Sequence, residues 1–101
     1  MKYEDVYSPD TVGVVVLDKS SVFAVATSTG GASPMMMGRV GDTPMVGCGF
    51  YAGERGAVAV TGIGEEAVRR MSAKTVYEIS HNCCHNVFVA IYDRWFLFWG
   101  R

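Results

Sequence analysis

The chain has 101 residues, half of them hydrophobic: enough for one small domain with a modest core, too few for two domains, and too apolar for disorder. Nine basic and ten acidic residues leave a net charge of −1, which gives no electrostatic case for nucleic acid or an anionic membrane as partner. No apolar run approaches the roughly 20 residues that a membrane helix needs.

Residues 1–10 carry one lysine against three acids, with no apolar stretch behind them, so a short leader is expected rather than a signal or transit peptide. The domain is expected over 11–101. Thr11 to Asp18, TVGVVVLD, is rich in valine and predicts a strand buried on both faces. Lys19 to Ser21 predicts a turn, with Val22 to Thr27 as the returning strand of a hairpin. Ser28 to Thr43 reads as a loop, dense in glycine, with three methionines in a row at 35–37. Two further strands follow, Val46 to Ala52 and Ala57 to Thr61, joined by Gly53–Gly56. Gly64 to about Ser80 predicts one helix: Glu65 and Glu66 precede Arg69 and Arg70, the order the helix dipole favours, and Val68, Met71, Val76 and Ile79 supply an apolar stripe. His81 to Asn86 is a polar break. Val87 to Tyr92 and Trp95 to Trp99 form a last strand pair around Asp93–Arg94. The expected fold class is α+β, a mainly antiparallel sheet with one packed helix.

Four polar clusters invite chemistry. Thr11 follows Asp10. If the bond before it is cut, the threonine becomes a nucleophile carrying its own base, because an α-amine titrates near about pH 8 and is partly neutral at pH 7. Asp10 can deprotonate that hydroxyl for an N-to-O acyl shift, and Gly13 lets another backbone approach. Taken alone, Thr11 is more simply a β-former at a strand end. In ATSTGG (26–31), alternation sends Thr27 and Thr29 to one face and Ser28 to the other, so Thr29 offers a second hydroxyl, although a polar strand end is the simpler account. In GRVGDTP (38–44), two glycines let Arg39 and Asp42 face one point. A guanidinium fork and a carboxylate together describe a zwitterionic α-amino acid; the competing account is a surface salt bridge. In VTGIGEE (60–66), Thr61 and the N–H groups at the head of a helix can hold an oxyanion, while tight strand-to-helix packing is the common reason for such glycines.

His81, Cys83, Cys84 and His85 are too cramped for one tetrahedral zinc site and read as a helix end with buried thiols. The methionines and the aromatics Trp95, Phe96, Phe98 and Trp99 read as packing or as a partner surface. Three cysteines, two of them adjacent, do not suit a disulfide framework, so a reducing, cytoplasmic setting is expected.

The order TVGVVVLD, ATSTGG, GRVGDTP, GFYAG, VTGIGEE, from Asp10 to about Arg70, resembles the nucleophile-bearing half of the N-terminal-nucleophile asparaginases: plant-type L-asparaginase/isoaspartyl aminopeptidase and the related glycosylasparaginase. The resemblance implies autocleavage between Asp10 and Thr11, with Thr11 as nucleophile and Thr29 bonding near its amine. It implies Arg39 on the substrate α-carboxylate, Asp42 on the α-ammonium group, Thr61 and Gly62 as oxyanion hole, and Gly64 lining the pocket. The implied reaction is hydrolysis of the side-chain amide of L-asparagine or of β-aspartyl peptides through a β-aspartyl ester. The implied fold is a four-layer αββα sandwich, assembled as a homo-oligomer or with a separate α-subunit, with no cofactor and no metal in this portion. The family's precursors carry a long α-subunit before the cleavage site; here ten residues precede Thr11, with Pro9 where a histidine is common, and the region after VTGIGEE is shorter. A second function class is therefore a truncated, non-catalytic relative that keeps an amino-acid pocket or serves as an interaction protein.

Overall fold

The structure is a computed structural model that describes residues 11–31, 35–83, 87–92 and 95–100, with side chains up to Ser80. The expected leader and Asp10, the turn Asp93–Arg94, Cys84 and His85, and the side chains of His81, Cys83 and the Trp95–Trp99 aromatics lie outside the described residues.

The fold is α+β, but the single expected sheet is two. Strands β1 (Thr11–Leu17) and β2 (Phe23–Thr29) form an antiparallel hairpin of their own. Strands β3 (Phe50–Gly53), β4 (Gly56–Val60), β5 (Val87–Tyr92) and β6 (Trp95–Gly100) form a second sheet in that order. In it the β3–β4 and β5–β6 pairs are antiparallel and the β4–β5 pair is parallel, because helices lie between those two strands in sequence.

Asp18 sets the hairpin. Its Oδ1 accepts from the N–H groups of Ser20 (2.8 Å) and Val22 (2.9 Å), while its own N–H donates to the Val22 carbonyl (3.0 Å). The register that follows puts Thr11 opposite Thr29 and Gly13 opposite Thr27. The expected burial of TVGVVVLD on both faces is not found: Val12, Val14 and Val16 are 63%, 53% and 48% exposed. Among the strands whose burial is described, the one buried on both faces is β4, GAVAV. Its Val58 and Val60 join Ala67 and Ala73 in the core, with Tyr51, Val76 and Tyr77 packed around them. Alternation turns Ala57 and Ala59 the other way, towards the hairpin. A β-carbon added to Gly13 would lie 2.8 Å from that of Ala59, so the two layers close on small residues and Gly13 admits the approach.

The helix expected over Gly64–Ser80 is two: α1 (Gly64–Arg70) and α2 (Ser72–Cys83). Met71 between them adopts a left-handed conformation (φ 45°), and its N–H closes onto the Val68 carbonyl at 3.2 Å. The break resets the helical phase. Met71 and Ile79, expected in the apolar stripe, are exposed; Val76, also expected there, does pack on the core, together with Ala73 and Tyr77. Helix α2 also runs through His81 to Cys83, where a polar break was expected.

The expected strand from Val46 starts only at Phe50. Gly47 has φ 89°, and Gly49 is packed so closely beneath Asp42 and Thr43 that a β-carbon there would strike their backbone. Residues 45–49 therefore form a turn. Its carbonyls accept from the first N–H groups of α2, Cys48 from Ala73 (3.3 Å) and Gly47 from Lys74 (2.9 Å). Lys74 then leans over the Tyr51 ring, 4.5 Å from its centroid, and pairs with Glu78 at 3.0 Å. The Glu78 carboxylate, and secondarily the Tyr51 hydroxyl, hold the Lys74 ammonium above its ordinary pKa. Among the described residues no helix is long and apolar enough to cross a membrane.

Candidate active site

Every candidate residue within the described chain lines one cavity of about 620 Å³: Thr11 and Thr29 on the hairpin, Arg39 and Asp42 on the long loop, Thr61, Gly62 and Gly64 on the β4–α1 connection. The cavity sits where the open end of the hairpin meets the C-terminal end of β4. Three segments distant in sequence reach it because the hairpin stacks on β4 and the loop folds back between them.

At the hairpin end, Thr11 Oγ1 and Thr29 Oγ1 lie 2.8 Å apart, a hydroxyl-to-hydroxyl bond in which either can donate. The cross-strand register produces it directly, since the two threonines are opposite partners whose side chains share a face. The Gly31 N–H donates to Thr29 Oγ1 at 3.0 Å, so the second hydroxyl is itself held by the glycine turn that follows it. That arrangement leaves Thr29 able to give its own proton to Thr11 Oγ1 while accepting from the backbone.

Across the cavity, Arg39 does not pair with Asp42 in the surface bridge that was the competing account. Its Nε and Nη2 both donate to Glu65 Oε1, at 2.9 and 2.5 Å. Glu65 thereby takes the side edge of the guanidinium. Nη1, on the end edge, lies 3.5 Å from the Met35 thioether, a weak acceptor. The end edge presents a second pair of parallel N–H groups, one each from Nη1 and Nη2, with the geometry for a bidentate carboxylate contact. The hydrogen bond from Arg39 is the main cause that holds the Glu65 carboxylate below its ordinary pKa, with its own backbone N–H and the guanidinium charge adding to it. Reading the sequence missed Glu65 as part of the site; its acidic position at the head of a helix carried only a dipole argument, and its loop partner lies 26 residues earlier.

Asp42 is 7% exposed, and its Oδ2 has no hydrogen-bond partner among the described residues. A buried carboxylate oxygen left without a donor is costly, and in a cavity wall it marks a place for a cation or donor to bind. The carboxylate and the guanidinium converge at Gly64. A β-carbon there would lie 2.9 Å from Asp42 Oδ1 and 3.1 Å from Arg39 Nη2. Only a residue without a side chain leaves both groups in place. Gly64→Ala is expected to displace the Arg39 head, the softer of the two neighbours, at about 1–3 kcal/mol of overpacking. A melting curve checks this: the melting temperature should fall by a few degrees while the fold survives.

Gly62 lies in the glycine-favoured region (φ 143°), bending the chain between Thr61 and the helix. Helix α1 starts without a side-chain cap; the Ile63 carbonyl accepts from Glu66 and Ala67, both at 3.1 Å.

The Asparaginase family model matches residues 2–90. The chain belongs to the asparaginase family. Related sequences agree. The chain is 48% identical over 71 residues to "Probable isoaspartyl peptidase/L-asparaginase 2" of Arabidopsis thaliana, covering 70% of this chain and 22% of the relative. It is 51% identical over 65 residues to "Plant-type L-asparaginase" of Pyrococcus horikoshii, covering 64% of this chain and 21% of that one. With "Isoaspartyl peptidase" of Escherichia coli the identity is 50% over 64 residues, 62% of this chain and 20% of the relative. This asparaginase-family chain thus spans about a fifth of the length of the curated relatives it matches.

Proposed function

We propose that the chain is the nucleophile-bearing portion of an N-terminal-nucleophile hydrolase that cleaves the side-chain amide of L-asparagine or of β-aspartyl peptides. Cleavage of the Asp10–Thr11 bond frees the Thr11 α-amine. That amine takes the proton of the Thr11 hydroxyl, and the oxygen attacks the β-carbonyl of the substrate. Thr29 steadies the nucleophile by its hydroxyl bond. The developing oxyanion is received by Thr61 and Gly62, ammonia or an amine departs, and water then hydrolyses the β-aspartyl ester on Thr11. Arg39 binds the substrate α-carboxylate with its end edge, Asp42 takes the α-ammonium group, and Gly64 leaves the room for both.

The observation that carries this reading is the 2.8 Å Thr11–Thr29 hydroxyl pair lining the same cavity as an arginine and a buried, under-satisfied aspartate. A zwitterion needs opposite charges at one end and a nucleophile at the other, and these residues supply both. The family and the names of the relatives support the substrate class. In the same reading the hairpin and sheet are the two β layers of an αββα sandwich, the assembly is a homo-oligomer or a pairing with an α-subunit, and the setting is cytoplasmic. The exposed valine face of the hairpin fits a chain that meets further protein there.

The test is ammonia release from L-asparagine and aspartate release from a β-aspartyl dipeptide by the purified chain, alone and within a full-length relative whose matching segment it replaces. Turnover in either setting is the expected result. Retention of L-aspartate without turnover in both would mark the pocket as a binding site and overturn the hydrolase reading.

A further inference from the structure

We propose that Thr27 is a positioning residue for the reaction, pegging the Asp42–Thr43 segment to the strand that presents Thr29 to the nucleophile. The assignment rests on the functional reading above, in which Asp42 receives the α-ammonium group.

The Thr27 hydroxyl donates to the Thr43 carbonyl at 3.0 Å, from β2 to the residue immediately after Asp42. Thr27 and Thr29 are two apart on one strand and share a face, so one strand edge holds both halves of the site: Thr29 on Thr11, Thr27 on the Asp42 loop. The peg is itself fixed. Thr27 pairs across the hairpin with Gly13, and a β-carbon on Gly13 would lie 3.6 Å from the Thr27 methyl, so the methyl rests over the glycine and the hydroxyl turns to the loop. The segment it holds is deeply set: Asp42 is 7% and Thr43 6% exposed. From below, Met45 N–H donates to the Asp42 carbonyl at 2.9 Å, and Gly49 lets that turn press against the Asp42 and Thr43 backbone. The loop is thus clamped between the 45–49 turn and Thr27. The turn sets its height above β3; Thr27 sets its offset from the hairpin end, and therefore the distance from the Asp42 carboxylate to Thr11. Without the hydroxyl, the Thr43 carbonyl loses that donor in a half-buried setting, and the segment is free to rotate it towards water.

The experiment compares Thr27→Val, which keeps the shape and the methyl but lacks the donor, with Thr27→Ser, which keeps the donor. Both are strand-compatible. Each is assayed on L-asparagine and on succinamate, the same skeleton without the α-amino group. Thr27→Val is expected to raise KM for L-asparagine about tenfold with kcat nearly unchanged, and to leave succinamate hydrolysis within roughly threefold of the starting protein. Thr27→Ser is expected to restore the L-asparagine KM. Parallel losses on both substrates, or no loss on either, would overturn the assignment. If the unsubstituted protein turns over neither substrate, the functional reading fails. The positioning claim is then decided by amide hydrogen exchange at Met45, expected about tenfold faster in Thr27→Val and unchanged in Thr27→Ser; equal exchange in all three proteins contradicts it.

Discussion

Replacing Thr11 by alanine is expected to abolish two events together: release of residues 1–10 and hydrolysis of L-asparagine. The hydroxyl has both roles in the proposed mechanism, attacking its own preceding carbonyl first and the substrate afterwards. Thr29 cannot stand in, since its hydroxyl lies on Thr11 but its amine is in a peptide bond. Loss of a nucleophile of this kind lowers kcat by about four orders of magnitude or more. Thr11→Ser is the informative companion. It keeps an oxygen within reach of Thr29 and should retain cleavage and measurable turnover, whereas Thr11→Ala should melt at nearly the same temperature and do neither.

The second large effect falls on Asp42, where activity and stability are expected to move in opposite directions. Asp42→Asn keeps the shape and removes the charge. A substrate ammonium that loses a buried charged partner loses about 2–5 kcal/mol, so kcat/KM for L-asparagine should fall at least roughly thirtyfold. The free protein, in contrast, no longer has to bury a charged oxygen without a donor. Its stability should hold or rise by about 1 kcal/mol, read from thermal or denaturant unfolding. A residue kept for structure would show the reverse, a lower melting temperature with activity lost only in proportion.

The pattern of right and wrong expectations has physical causes that can be read from particular residues. The hairpin was legible because Asp18 and the polar residues behind it make one local turn, and once the turn is set the register puts Thr11 opposite Thr29. The polar clusters were legible as a candidate group because their types and spacing carry chemistry that packing does not need, and the fold brings their residues to one cavity. Burial was the weaker guide. Valine at 12, 14 and 16 signals an apolar environment, but which side of a strand is covered depends on what stacks there, and no local pattern in a strand says so. Among the strands whose burial is described, the fully covered one is β4, whose Ala57 and Ala59 are small enough to let the hairpin close against them. The break at Met71 was invisible for a related reason: no glycine or proline marks it, and the left-handed turn is supported by the docking of α2 on carbonyls of the 45–49 turn, a contact between distant segments. Glu65 belongs with these. Its role depends on Arg39 arriving from a loop 26 residues away, and only the folded chain joins them.

The proposed mechanism requires that Thr11 become an uncapped nucleophile. Intact-mass measurement of the purified protein, expressed from residue 1, tests it most directly. The expected result is a species lacking residues 1–10, with Thr11 as its first residue, formed in the starting protein and absent from Thr11→Ala. A chain that stays uncut in both proteins, alone and when joined to the remainder of a full-length relative, would contradict it.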